Sequence, residues 1–302
     1  MAIRRGSRRP APKRKSANRA PTAAKRADTQ AAGGQPRHGP KHIPLDAHAR
    51  EERRFEKARS TSRSIDTTFS PDATRTKRAR KRRGGPTAAA AAETEVVDPR
   101  LTGPLTPVRS QPDGDRRCVG FALAAAMETW LCLRDPAMAT DPILSEQHVF
   151  KLGDEKEIVA PAAKAVKKGV VETICFGSQP PCPDQKDHTW SGKVEQVLSN
   201  DPKVLCAHLR GRLPLVNEMR IAGNFADFQG DGVYIPDNTP GGAHALVIVG
   251  FERNADGTGA WIVKNSLGAD WGEDGFGRIR WRDPFCKPEN VVFVVKEVKR
   301  VQ

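Results

Sequence analysis

Trp261–Phe276 reads WIVKNSLGADWGEDGF. Its first four residues are aromatic, β-branched and long, the composition of a short strand. Asn265, Ser266, Gly268 and Asp270 interrupt that run, and Gly272, Asp274 and Gly275 punctuate it again before RIRW at Arg278–Trp281. The same texture extends in both directions: LVIV at Leu246–Val249 lies upstream and VVFVV at Val291–Val295 downstream, with Gly, Asn and Asp between the runs. The C-terminal half is therefore predicted to be β.

Further upstream the period changes. Cys118–Leu133, CVGFALAAAMETWLCL, is apolar at 119, 122, 123, 126, 127, 130 and 131. That is helical spacing, and its alanines predict burial on most sides. A second helix is predicted near Ala160–Lys168, stopped by Gly169. Helices first and strands second imply an α+β domain of two lobes over residues 96–302.

Residues 1–95 have a different character. They hold 25 Lys and Arg against nine Asp and Glu, whereas residues 96–302 hold 25 against 27, so the chain's net charge of +14 belongs to the first third. This third is rich in Ala, Pro, Ser and Thr, has Phe55 and Phe69 as its only aromatics, and has the composition of disorder. A short helix is predicted at 46–59, and Gly84-Gly85-Pro86 reads as a linker after the basic run Arg75–Arg83. Three readings stay open: a tail holding nucleic acid or another acidic surface without sequence preference, a pro-segment, or an address. No apolar window of 18 residues predicts a membrane span, and no apolar run follows the basic N-terminus. The default compartment is cytoplasmic, with secretion by a non-standard route left open.

Six cysteines stand at 118, 132, 175, 182, 206 and 286. None forms a CxxC pair, and His148, His188 and His208 have no partners at ligand spacing in the sequence, so neither a metal nor an organic cofactor is expected. Reduced thiols are expected throughout; Cys175 and Cys182 are near enough to pair if the compartment oxidises.

Cys118 carries the chemical interest. It opens the buried helix, where unpaired N–H groups and the positive dipole end favour a thiolate, and Arg116 and Arg117 precede it. On position alone it could equally be a small apolar packer. Its neighbours weigh against that. LTPVRSQ at Leu105–Gln111 leads into Cys118-Val119-Gly120-Phe121-Ala122; Leu144-Ser145-Glu146-Gln147 follows, then Gly242-Ala243-His244-Ala245-Leu246-Val247, then WIVKNSLG with Trp271–Phe276.

This order resembles the papain-like cysteine peptidases. The resemblance implies a papain-like two-lobed fold, a helical lobe and an antiparallel β-barrel-like lobe with the active-site cleft between them. It implies Cys118 as nucleophile, His244 as its base in a resting thiolate–imidazolium pair, Asn265 as orienter of the ring, and Gln111 with the Cys118 N–H as the oxyanion hole. His244 and Asn265 follow Cys118 by 126 and 147 residues. The implied activity is peptide-bond hydrolysis on a peptide or protein substrate. A scaffold that binds a protein partner without turnover, and acyl transfer or deamidation by the same thiolate, are the alternatives. Three features depart from the family pattern: one extra residue between Gln111 and Cys118, Leu267 in place of a Trp, and KLGDEKE at Lys151–Glu157 in place of a Cys-x-Gly-Gly segment.

Overall fold

A computed structural model describes residues 94–112, 114–177 and 182–302. Residues 1–93, with the helix expected at 46–59 and the linker at 84–86, lie outside the described residues. Nine strands form one sheet: β1 (Glu95–Val97), β2 (Val170–Val171), β3 (Thr189–Gln196), β4 (Leu215–Ala222), β5 (Val233–Tyr234), β6 (Pro240–Arg253), β7 (Gly259–Lys264), β8 (Phe276–Arg280) and β9 (Val291–Arg300). Their order is β2-β3-β9-β4-β6-β7-β8-β5, with β1 on β6. All pairs are antiparallel except β5 with β8. The α-helices among the described residues are α1 (Cys118–Cys132), α2 (Glu146–Leu152), α3 (Val159–Ala165) and α4 (Pro202–Arg210).

Strand alternation builds two cores. Ala243, Ala245 and Val247 of β6, Ile262 of β7 and Val291, Phe293 and Val295 of β9 pack with α1 and α3. The intervening residues, Leu246 and Ile248, Trp261 and Val263, Val292 and Val294, turn the other way and pack with Leu205 and Leu209 of α4. The α+β, two-lobed expectation is met: one core holds α1, α2 and α3 against the sheet, and the other holds the opposite strand faces with α4. α1 is buried at nearly every position because its many alanines let neighbours approach on several sides. At Gly120 the approach leaves no room for a side chain, since a Cβ there would sit 2.3 Å from the Glu146 carbonyl of α2.

The predicted helix at 118–133 and the strands at 246–249, 261–264 and 291–295 are present, the strands longer than expected. Two long strands were not anticipated. β4, LVNEMRIA, hides its strand pattern behind Asn217, Glu218 and Arg220, yet Asn217 and Glu218 are fully buried. β3, TWSGKVEQ, is partly exposed and carries Gly192 and two charges.

Two expectations are corrected. Cys175 and Cys182 form a disulfide, with Cα atoms 5.1 Å apart, rather than two free thiols. A turn at Cys175–Gly177 brings the pair together, a closure that sequence distance alone does not report. His188, expected from its sequence spacing to have no ligand partners, lies close in space to that pair.

Candidate active site

α1 begins at Cys118, and its first turn packs against the middle of β6. There the backbone N–H of Ala245 donates to the Cys118 sulfur. The preceding residue of β6 is His244, fully buried. β7 ends at Lys264, and the chain turns so that Asn265 faces His244: the ring Nε2 and Asn265 Oδ1 are 2.9 Å apart. Asn265 Oδ1 also accepts from the Ser266 N–H at 2.8 Å. An oxygen already accepting one proton must receive the second from the ring, so Nε2 carries hydrogen and Nδ1 is the basic nitrogen.

The aromatic cover over His244 comes from Phe225, which the sequence did not single out, backed by Trp271 of the quoted motif. The Phe225 ring centroid lies 5.8 Å from that of His244 and 5.1 Å from that of Trp271. The Trp271 Nε1–H donates to the Phe225 carbonyl at 2.7 Å, holding the cover in place. Leu267, which stands where a Trp was expected, is only partly buried. Phe225 was hidden because nothing local distinguishes a shielding Phe from a core Phe.

Gln111 is buried in the same region. Its Oε1 accepts from Ser266 Oγ at 3.1 Å, and its backbone N–H donates to the Ser266 carbonyl at 2.7 Å. Its Nε2 donates to the Asp115 carbonyl at 2.7 Å, inside the loop lengthened by one residue. The amide donor is thus engaged within its own loop.

The electrostatics differ from expectation. Arg117 pairs with Asp115 and with Glu146, and Arg116 pairs with Glu157, so both guanidinium charges are matched by carboxylates. Burial pushes the Cys118 thiol up to about 12, and the charges of Glu218 and Asp115 act in the same direction. Glu218, opposite Ala245 in the β4–β6 register, accepts from the Val159 N–H at the start of α3. Burial and these two carboxylates therefore both oppose negative charge on the Cys118 sulfur.

A buried polar network holds the approach segment. Glu128 of α1 accepts from Thr106 Oγ1 at 3.0 Å, from the Leu144 N–H at 2.8 Å and from Arg109. Lys264 donates to the Thr106 carbonyl at 2.5 Å and to Thr106 Oγ1 at 2.9 Å. Burial lowers the Lys264 ammonium from 10.5 to about 8. Below pH about 8 both the folded and unfolded chains hold this proton, and the fold bears a buried charge. Between about 8 and 10.5 the folded chain has released it and the unfolded chain has not, so this residue's contribution to stability rises with pH. The expected result is that the stability of the natural chain relative to Lys264→Met rises across that window, measured by urea denaturation at several pH values. A flat difference would refute it.

A family model described as papain family cysteine protease matches residues 94–295. The senescence-specific cysteine protease SAG12 of Arabidopsis thaliana is 27% identical over 199 residues, 61% of this chain and 56% of that protein. Vignain of Phaseolus vulgaris is 34% identical over 86 residues, 28% of this chain and 24% of its own length. Cathepsin B-like CP1 of Giardia intestinalis is 48% identical over 54 residues, 18% of each chain. The chain thus spans between 18% and 56% of the length of these relatives. Bromelain of Ananas comosus, solved in complex with the E64 inhibitor, shares the fold with a TM-score of 0.53 and 22% identity, over 66% of this chain and 97% of bromelain. The proform of the ragweed pollen protease Amb a 11 gives a TM-score of 0.54 at 23% identity, over 69% of this chain and 66% of that one. The family match covers both lobes and every residue of the His–Asn arrangement, and on that ground the chain belongs to the papain family of cysteine proteases.

Proposed function

We propose that the chain hydrolyses peptide bonds through Cys118, with the buried His244–Asn265 hydrogen bond beside the start of α1 as the observation that carries the reading. Asn265 holds the ring through Nε2–H and leaves Nδ1 to take the Cys118 proton. The thiolate then attacks the scissile carbonyl carbon, forming a thioester and releasing the amine, which takes its proton from His244. Water, deprotonated by the same ring, hydrolyses the thioester. A neutral amide suits the orienting role, because the attacking state already contains an ion pair.

Gln111 is the side-chain donor to the oxyanion in this reading. It takes that role when Nε2 leaves the Asp115 carbonyl, a bond a substrate displaces on entering between the lobes. The sulfur becomes nucleophilic when its proton passes to His244. Peptide or protein substrates follow from the reaction. The charge of residues 1–95 suits non-specific contact with acidic surfaces, nucleic acid included. No helix among the described residues is long and apolar enough to cross a membrane.

One observation favours a second reading, a partner-binding scaffold without turnover: Cys118 and His244 are both fully buried and the Gln111 donor is occupied. E-64 separates the two. The full chain is expected to gain one E-64 adduct, located at Cys118 by peptide mass spectrometry. An unlabelled Cys118, together with no cleavage of denatured protein substrates, would overturn the peptidase reading in favour of the scaffold.

A further inference from the structure

We propose that Cys175, Cys182 and His188 form a redox-gated binding site for a divalent metal of the zinc type: closed while the disulfide stands, open once it is reduced. The ligand-type atoms of the three residues all lie within 4.8 Å of one another. A tetrahedral zinc with sulfur at about 2.3 Å and nitrogen at about 2.0–2.1 Å sets its sulfurs about 3.8 Å apart and each sulfur about 3.6 Å from the nitrogen. The side chains therefore need only small rotations to reach coordinating separations.

The second observation is the carboxylate behind the histidine. His188 Nδ1 is 2.6 Å from Glu172 Oε2, while Glu172 Oε1 accepts from Trp190 Nε1–H at 2.7 Å. Glu172 is almost wholly buried, and its backbone N–H donates to the His188 carbonyl at 2.9 Å. The carboxylate is thus fixed on its far side and takes the Nδ1–H, which leaves Nε2 as the ligand nitrogen. A carboxylate–histidine pair of this kind orients and enriches a metal ligand. A third observation concerns access. A cavity of about 280 Å³ opens on Cys175 and Cys182, walled by His148, Phe176 and Gln185. Both cysteines line it, so it offers a small reductant a path to the disulfide.

The chemistry balances as follows. A small dithiol reductant gives two electrons and two protons to the Cys175–Cys182 bond, becoming a disulfide itself and leaving two thiols. Metal binding then displaces both protons and forms two metal–sulfur bonds. The sequence conceals this site because the spacing, Cys-x6-Cys-x5-His, contains no CxxC pair and its carboxylate lies on an earlier segment.

The test uses the full chain carrying Cys118→Ala, so that the nucleophile contributes no ligand. Zn²⁺ is titrated against a chromogenic chelator, before and after dithiol reduction, with Co²⁺ as a spectroscopic reporter of thiolate coordination. The expected result is one Zn²⁺ bound by the reduced chain at least about 100-fold more tightly than by the oxidised chain, with a thiolate-to-cobalt charge-transfer band. Cys182→Ser is expected to abolish both signals. Glu172→Gln keeps an acceptor for Trp190, and is expected to weaken binding by about 10–100-fold. Circular dichroism before each titration reports the fold. Equal affinity in the oxidised, reduced and Cys182→Ser chains would overturn the proposal, as would a reduced chain that unfolds and so presents no site. This outcome is independent of peptide hydrolysis.

Discussion

Cys118→Ala is expected to lower kcat for peptide hydrolysis by at least about 10⁴-fold while leaving thermal stability close to that of the natural chain. Removing the nucleophile of a hydrolytic triad costs on the order of 10⁶ in kcat, and what survives comes from substrate binding and oxyanion stabilisation. The side chain is small and buried, and the change to Ala removes only a sulfur from a helix start. The measurement is turnover of a denatured protein substrate by the full chain, with circular dichroism melts in parallel. Hydrolysis that persists in the variant would move the chemistry to another residue. A loss of activity matched by unfolding would be resolved with Cys118→Ser, which restores volume and polarity but not a nucleophile of comparable acidity.

Glu128→Ala is expected to destabilise the domain by about 3 kcal/mol. Breaking a buried ion pair costs about 3–5 kcal/mol, because the remaining charge has no compensation. Arg109 is partly exposed and keeps Glu146 at 3.1 Å, which places the expectation at the lower end. The Leu144 N–H and Thr106 Oγ1 also lose their shared acceptor. For a domain of this size the melting temperature is expected to fall by about 6–12 °C. Glu195→Ala, which removes an exposed pair with Lys193 at 3.2 Å, is the control and is expected to change stability by no more than about 0.5 kcal/mol. Equal effects of the two changes would show that the Glu128 network does not hold the approach segment to α1.

The disulfide bears on how the chain responds to its surroundings. Reduced thiols were expected throughout, and the fold places two of the six cysteines in a bond. The other four are free thiols, so a reductant acts on the bond between Cys175 and Cys182. Under the proposed metal site, that event would also free two ligands beside His188 and its Glu172 partner.

Local sequence was sufficient wherever the signal was periodic or a short run was unusual. The Cys118–Leu133 period made a buried helix legible, and the β-branched runs made β6, β7 and β9 legible, because burial of alternate or every third-to-fourth residue leaves a repeating apolar pattern. The spacing from Cys118 to His244 and Asn265 was legible for the same reason that motifs are: residues of particular chemistry stand in a particular order. Tertiary structure decided the rest. β4 carries Asn217 and Glu218 into the interior because partners from Pro288 and Val159 meet them there, and no local pattern announces such partners. The charges of Arg116 and Arg117 were visible, but their neutralisation by Glu157, Asp115 and Glu146 was not. The engagement of Gln111 by Asp115, the cover of Phe225 over His244, and the meeting of His188 with two cysteines all depend on which surfaces the sheet brings together. Sequence alone thus named the residues proposed for the chemistry. Only the packed fold decided how each was buried, shielded or bonded, because those properties belong to the neighbours that long-range contacts supply.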